Sequence, residues 1–85
     1  MTMKLVYFAR VREALGRDSE DIDFPANVRS VSEALDWLAT QSPNHAEAFA
    51  DRSKLRFALN QRMVKADAAI SGASEFAIFP PVTGG

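Results

Sequence analysis

One helical signature in the middle of this chain dictates what the rest must supply. Ser30-Val31-Ser32-Glu33 has the form of a capping box, with Ser30 as N-cap and Glu33 three positions later. Val31, Ala34, Leu35 and Leu38 then recur at helical spacing, and the pattern carries the helix to about Gln41, before Ser42-Pro43. A single apolar stripe is stable only when another apolar surface covers it. The chain has 85 residues and no cysteine, so disulfides cannot take the place of that burial. The covering surface must come from the short β-rich segments on either side of the helix.

Those segments are legible as strands. Lys4 to Ala9 is short and rich in β-formers. Val11 to Leu15 makes a helical turn stopped at Gly16. Ser19 to Phe24 alternates, with Glu20, Ile22 and Phe24 on one parity, and Pro25 closes it. Asn44 to Phe49 adds a shorter helix. Leu55, Phe57 and Leu59 alternate with Lys54, Arg56, Ala58 and Asn60 in a third strand. Asn60-Gln61 turns the chain into a fourth strand, Arg62 to Lys65, and Glu75 to Phe79 is the last. Pro80-Pro81 ends it, because proline donates nothing to a ladder.

The first and last strands are the most apolar, which predicts that they sit centrally and side by side. The fold expected is α+β: a β-grasp, or ubiquitin-like, mixed sheet of about four to five strands with one main helix across one face. Residues 1–79 form this domain and residues 80–85 an extended tail ending in a flexible Gly84-Gly85 pair.

Several functions are excluded. Without cysteine there is no thiolate metal site and no cysteine nucleophile, and one histidine cannot build a histidine cage. A net charge of -1 gives no bulk attraction to nucleic acid or anionic membrane. No apolar run approaches the ~20 residues of a membrane span. Arg10 and Arg12 directly follow the first apolar stretch, so no secretory leader is read there. A cytoplasmic protein is expected.

Strand parity marks a surface. Lys4 shares a face with Val6 and Phe8, Lys65 with Met63, and Glu75 with Ala77 and Phe79. Lysine is almost never fully buried. Phe8, Met63 and Phe79 are therefore expected together on the face opposite the helix, where an exposed apolar cluster signals a partner.

The tail carries the chemistry. Pro80-Pro81 favours an extended exit, Val82 and Thr83 continue it, and Gly84 and Gly85 can thread where a side chain would clash. A free α-carboxyl is ionised at neutral pH and a poor acyl donor. Gly85 would need activation, most simply as an acyl-adenylate made by a separate enzyme. A sulfur nucleophile would then give a thiocarboxylate, and an amine would give an amide.

Phe8-Ala9-Arg10-Val11-Arg12-Glu13, Asn60-Gln61 and above all Phe79-Pro80-Pro81-Val82-Thr83-Gly84-Gly85 resemble the small, sulfur-carrier subunits of molybdopterin synthase. Where that family usually shows Gly-Asp-Glu before the last strand, this chain has Ala73-Ser74-Glu75, with Gly72 displaced by one. The resemblance implies that an E1-like adenylating enzyme uses ATP to activate Gly85 and that a sulfur donor protein converts it to a thiocarboxylate. It implies delivery of that sulfur to a pyranopterin precursor in the large catalytic subunit, within a heterotetramer. The catalytic side chains would lie on that subunit, and no cofactor would be stably bound to this one. Partner contacts would come from Phe8, Arg12, Met63, Phe79, Pro80, Pro81, Val82, Thr83 and Gly84.

Three other readings stay open: a thiamin-type sulfur carrier, a ubiquitin-like modifier whose Gly85 ends as an amide, and a binding module with an inert tail. His45 reads as a surface helix residue with no titratable partner. Asp18, Glu20, Asp21 and Asp23 read as a solvated acidic strand and loop. Arg52, Lys54 and Arg56 share a parity and read as a solvated strand edge. Trp37 falls at the margin of the helix stripe and reads as a packing residue.

Overall fold

A computed structural model describes residues 2–81. Five strands form one sheet: β1 (Thr2–Tyr7), β2 (Ser19–Asp23), β3 (Arg56–Leu59), β4 (Arg62–Val64) and β5 (Glu75–Phe79). Their order is β2-β1-β5-β3-β4. The first and last strands pair in parallel and every other pairing is antiparallel. Three helices accompany the sheet: α1 (Ala9–Leu15), α2 (Val31–Ala39) and α3 (Pro43–Ala48).

The capping box at Ser30 forms as the sequence predicts. The Ser30 hydroxyl accepts from the Glu33 amide at 3.1 Å, and the Glu33 carboxylate accepts from the Ser30 amide at 3.1 Å. Val31, Ala34, Leu35 and Leu38 are buried, joined in the core by Leu5, Tyr7, Phe49, Phe76 and Ile78. The chain between β4 and β5 is tied to the start of this helix: Val31 and Ser32 donate to the carbonyls of Ala68 and Ala66. Trp37 is half-buried and packs edge-on against Phe24, with ring centroids 5.3 Å apart.

Most elements begin or end one or two residues from where the sequence reading put them, and two of the differences have a clear physical cause. The first strand ends at Tyr7, because Phe8 becomes the N-cap of α1 and Ala9 takes a positive φ of 49°. Arg52–Lys54 form a 3-10 turn, so Arg52, Lys54 and Arg56 do not share a strand edge. Arg52 instead donates to Asp36 on α2 at 2.6 Å.

Three turns carry left-handed backbone. Gly16, with φ 71°, caps α1 by donating its amide to the Arg12 carbonyl at 2.9 Å. Asn60 and Gln61, with φ 50° and 68°, make the tight β3–β4 connection. The Asn60 side-chain oxygen also accepts from the amides of Ser74 and Glu75, at 2.9 and 3.1 Å. Gly72, φ 83°, turns the chain just before that clamp, so the displaced glycine still serves the entry to β5.

Candidate functional site

The sheet face opposite α2 carries the predicted apolar residues. Phe8 and Met63 are 48% and 64% exposed, the two large hydrophobic side chains left open among the described residues. Phe79 is half-buried and meets Phe8 edge to face, with centroids 6.2 Å apart and rings at 86°. Met63 lies farther off. Strand register places Val6, Ala77, Ala58 and Met63 in one row across β1, β5, β3 and β4. The two alanines are short and nearly buried, so the surface is a low floor with the aromatic pair to one side and Met63 at its end. The sequence reading of one close cluster is thus corrected to an aromatic pair and a methionine two strands away.

The tail leaves the sheet beside this pair, because Phe79 ends the central strand. Pro80 and Pro81 are half-buried. They form part of the wall of a groove of about 900 Å³, shared with α1, the end of α3 and the 3-10 turn. Arg12 is exposed on α1. Val82, Thr83, Gly84 and Gly85, the tail positions expected to act, lie outside the described residues.

A polar cluster sits elsewhere, and it overturns two expectations. Glu20 is not a solvated acid and His45 is not a lone surface histidine. Their side chains are only 12% and 13% exposed, with His45 Nε2 2.8 Å from Glu20 Oε2. The same carboxylate accepts from the buried Tyr7 hydroxyl at 2.5 Å and from Arg17 at 3.2 Å. The other ring nitrogen, His45 Nδ1, lies 2.6 Å from the Ser42 hydroxyl, which also accepts the His45 amide and so caps α3. Burial pushes the Glu20 carboxyl up, but hydrogen bonds from Tyr7 and His45 and the nearby His45 and Arg17 outweigh it, leaving it below its ordinary range. Burial, and then the bond to Glu20, push the Tyr7 phenol far above its ordinary value.

Each half of this cluster left a local signal in the sequence, though their pairing did not. Glu20 shares the inward parity of Ile22 and Phe24, and a capping Ser42 three residues before His45 fixes where that ring can point. The cluster bridges β1, β2 and α3, and its polar atoms satisfy one another, so it is structural. Among the described residues no group of histidine, cysteine or acidic side chains is gathered to hold a metal ion.

Comparison with known proteins agrees with this geometry. Residues 5–85 match the ThiS family. The chain belongs to the ThiS family. It is 40% identical over 85 residues to the molybdopterin synthase sulfur carrier subunit of Escherichia coli K12, covering 98% of this chain and 99% of that one. It is 31% identical over 83 residues to the protein of the same name from Haemophilus influenzae, covering 98% and 99%. Among solved structures it resembles the small archaeal modifier protein 1 of Haloferax volcanii, with a TM-score of 0.74 and 26% identity over 95% of this chain and 98% of that one. The β-grasp expectation and the resemblance to the sulfur-carrier subunits are both borne out.

Proposed function

We propose that this chain carries sulfur for molybdenum cofactor synthesis as a thiocarboxylate on Gly85. The observation that carries this reading is the placement of the tail's first two residues, Pro80 and Pro81. The central strand β5 delivers Pro80-Pro81 directly beside the open Phe8–Phe79 pair. A docked partner would therefore receive the tail at a fixed point. The identity to two sulfur carrier subunits over nearly the whole chain supports it.

In this reading an oxygen of the Gly85 carboxylate attacks the α-phosphate of ATP on a separate E1-like enzyme, and pyrophosphate leaves. A sulfide-level sulfur atom released by a sulfur donor protein then attacks the acyl carbon and displaces AMP, leaving a thiocarboxylate. The loaded tail enters the large synthase subunit, which holds the catalytic side chains, and gives up its sulfur to the pyranopterin precursor. The assembly is a heterotetramer working in the cytoplasm. Phe8, Met63 and Phe79 dock, with Arg12 at the margin, and Val82 to Gly84 thread.

Intact mass of the protein taken from cells tests this. One oxygen replaced by sulfur is expected, and deletion of Gly85 should abolish loading without changing the fold, since the reactive carbon lies beyond the domain. Molybdopterin formed at the normal rate by the deleted chain would end the proposal. A second reading, a protein modifier, is favoured by the likeness to the archaeal modifier. It predicts amide conjugates of higher mass in place of the sulfur-for-oxygen change.

A further inference from the structure

The outer face of the sheet has two unlike ends. Strand register sets its outward side chains in rows. Where β5 begins, Asp21, Lys4 and Glu75 follow one another across β2, β1 and β5. Where β5 finishes, Phe79 stands opposite Arg56 on β3, and Lys65 follows β4 on the parity of Met63. Two carboxylates against one ammonium make the first end acidic, and two cations make the second basic. Arg56 donates only to carbonyls, those of Ser53 and Leu55 at 3.3 and 2.8 Å. Among the described residues neither Arg56 nor Lys65 has a carboxylate at ion-pairing distance. Shape repeats the asymmetry. The Phe8–Phe79 pair stands at the basic end, beside the low floor of Ala77 and Ala58.

We propose that this face binds a second copy of the chain, about a two-fold axis that lies between the two faces and runs across the strands. Such an axis reverses the strand direction. The acidic end of each copy then comes toward the basic end of the other, and like ends are kept apart. The aromatic pair of each copy rests on the alanine floor of the other. The contact is isologous, so every attraction in it occurs twice. Strands of the two sheets stay within about 30° of each other, as in other face-to-face packings.

The size of the face limits the strength. Five strands ~4.8 Å apart, of about five residues at ~3.4 Å each, make a face of about 24 by 16 Å. Two such faces bury on the order of 800 Å², short of the ~1,200–2,000 Å² of a stable complex. The dimer is therefore weak and comes apart on dilution. It covers the same Phe8, Met63 and Phe79 that the function proposed above gives to the large subunit. On that reading the free carrier screens its own docking face, and dimer and complex exclude each other. The self-association does not depend on that reading, because it follows from the charge and shape of the face alone.

NMR of the intact chain, diluted from about 1 mM to about 10 μM, reads the contact residue by residue. Amide shifts should move at Lys4, Phe8, Ala58, Met63 and Ala77 and stay still along α2. Sedimentation equilibrium over the same range should pass from dimer toward monomer. Glu75→Lys and Arg56→Glu each set like charges together at both symmetric contacts. Exposed ion pairs are individually weak, but this one occurs twice, so each variant should self-associate about tenfold less. Mixed in equal amounts, the two variants should associate again, because each then meets the opposite charge at both contacts. Thermal melts of each variant alone check its fold, and the wild-type dilution series needs no variant. A chain still monomeric at about 1 mM, shifts confined to α2 or to the β2 or β4 edge, or folded variants that stay apart when mixed would each overturn the inference. Dissociation of the dimer by the large subunit ties it to the proposed function. A dimer on this face that the large subunit leaves intact would stand, and would count against the docking proposed above.

Discussion

Glu20 shows how one side chain can join three elements. Its carboxylate takes hydrogen bonds from β1 through Tyr7 and from α3 through His45, while it sits on β2. Removing the imidazole by His45→Ala strands a largely buried carboxylate short of one donor and frees the Ser42 hydroxyl. A bond to a charged group contributes about 1.5–3 kcal/mol, so a loss of that order is expected in denaturant melts at neutral pH. The sign of the pH effect follows from Glu20, whose carboxyl lies below its ordinary 4.5 in the folded state. The unfolded chain therefore binds the proton first as pH falls, and the cluster's contribution, complete at neutral pH, drains away below about 4.5. Glu20→Gln should lower stability at neutral pH and flatten the acid limb of a melting-temperature profile. A parallel acid limb in the variant would show that other carboxylates set it.

At the scale of elements, the β3–β4 connection is the least well matched to its residues. Both Asn60 and Gln61 hold positive φ, where asparagine is tolerated and glutamine is not favoured. Gln61→Gly should therefore stabilise the domain by about 1 kcal/mol, the scale of the left-handed penalty for a residue with a Cβ. Asn60→Ala should do the opposite, because it also removes the clamp on the Ser74 and Glu75 amides. Thermal melts of the two variants read both signs. Legibility in the sequence varied along these same lines. The α2 stripe, its cap, the strand parities and the central placement of β1 and β5 depend on local pattern, and the sequence carries that pattern in full. The Glu20–His45 pair spans 25 positions, and it forms only once α3 has packed on α1 and α2. The 3-10 turn at Arg52–Lys54 was hidden for a related reason. Its alternation of basic and other residues mimics a strand, while Asp51 bonding the Ser53 amide at 3.2 Å and hydroxyl at 2.5 Å tightens the backbone into a turn.

At the scale of the whole molecule, two faces of one sheet divide the work. The inner face spends its apolar residues on α2. The outer face buries Ala58 and Ala77 yet leaves Phe8 and Met63 open, though alanine at either position would cost the domain little. Burying such a side chain against a partner is worth about 1.5–3 kcal/mol. Under the proposed function, Phe8→Ala and Met63→Ala should each weaken docking on the large synthase subunit by roughly tenfold or more, with melting temperatures of the isolated domain nearly unchanged. Phe79→Ala differs, because its ring is half-buried and supports Phe8, so both readouts should fall. Because Met63 stands two strands from the aromatic pair, a partner must span the alanine floor to touch both. The Phe8 and Met63 losses should then add in the double variant, as they do for separated positions on one interface. Titration of the large subunit with all three variants, beside melts of each alone, measures this. Unchanged affinity for Met63→Ala with loss for Phe8→Ala would confine the docking surface to the aromatic pair at the tail's root.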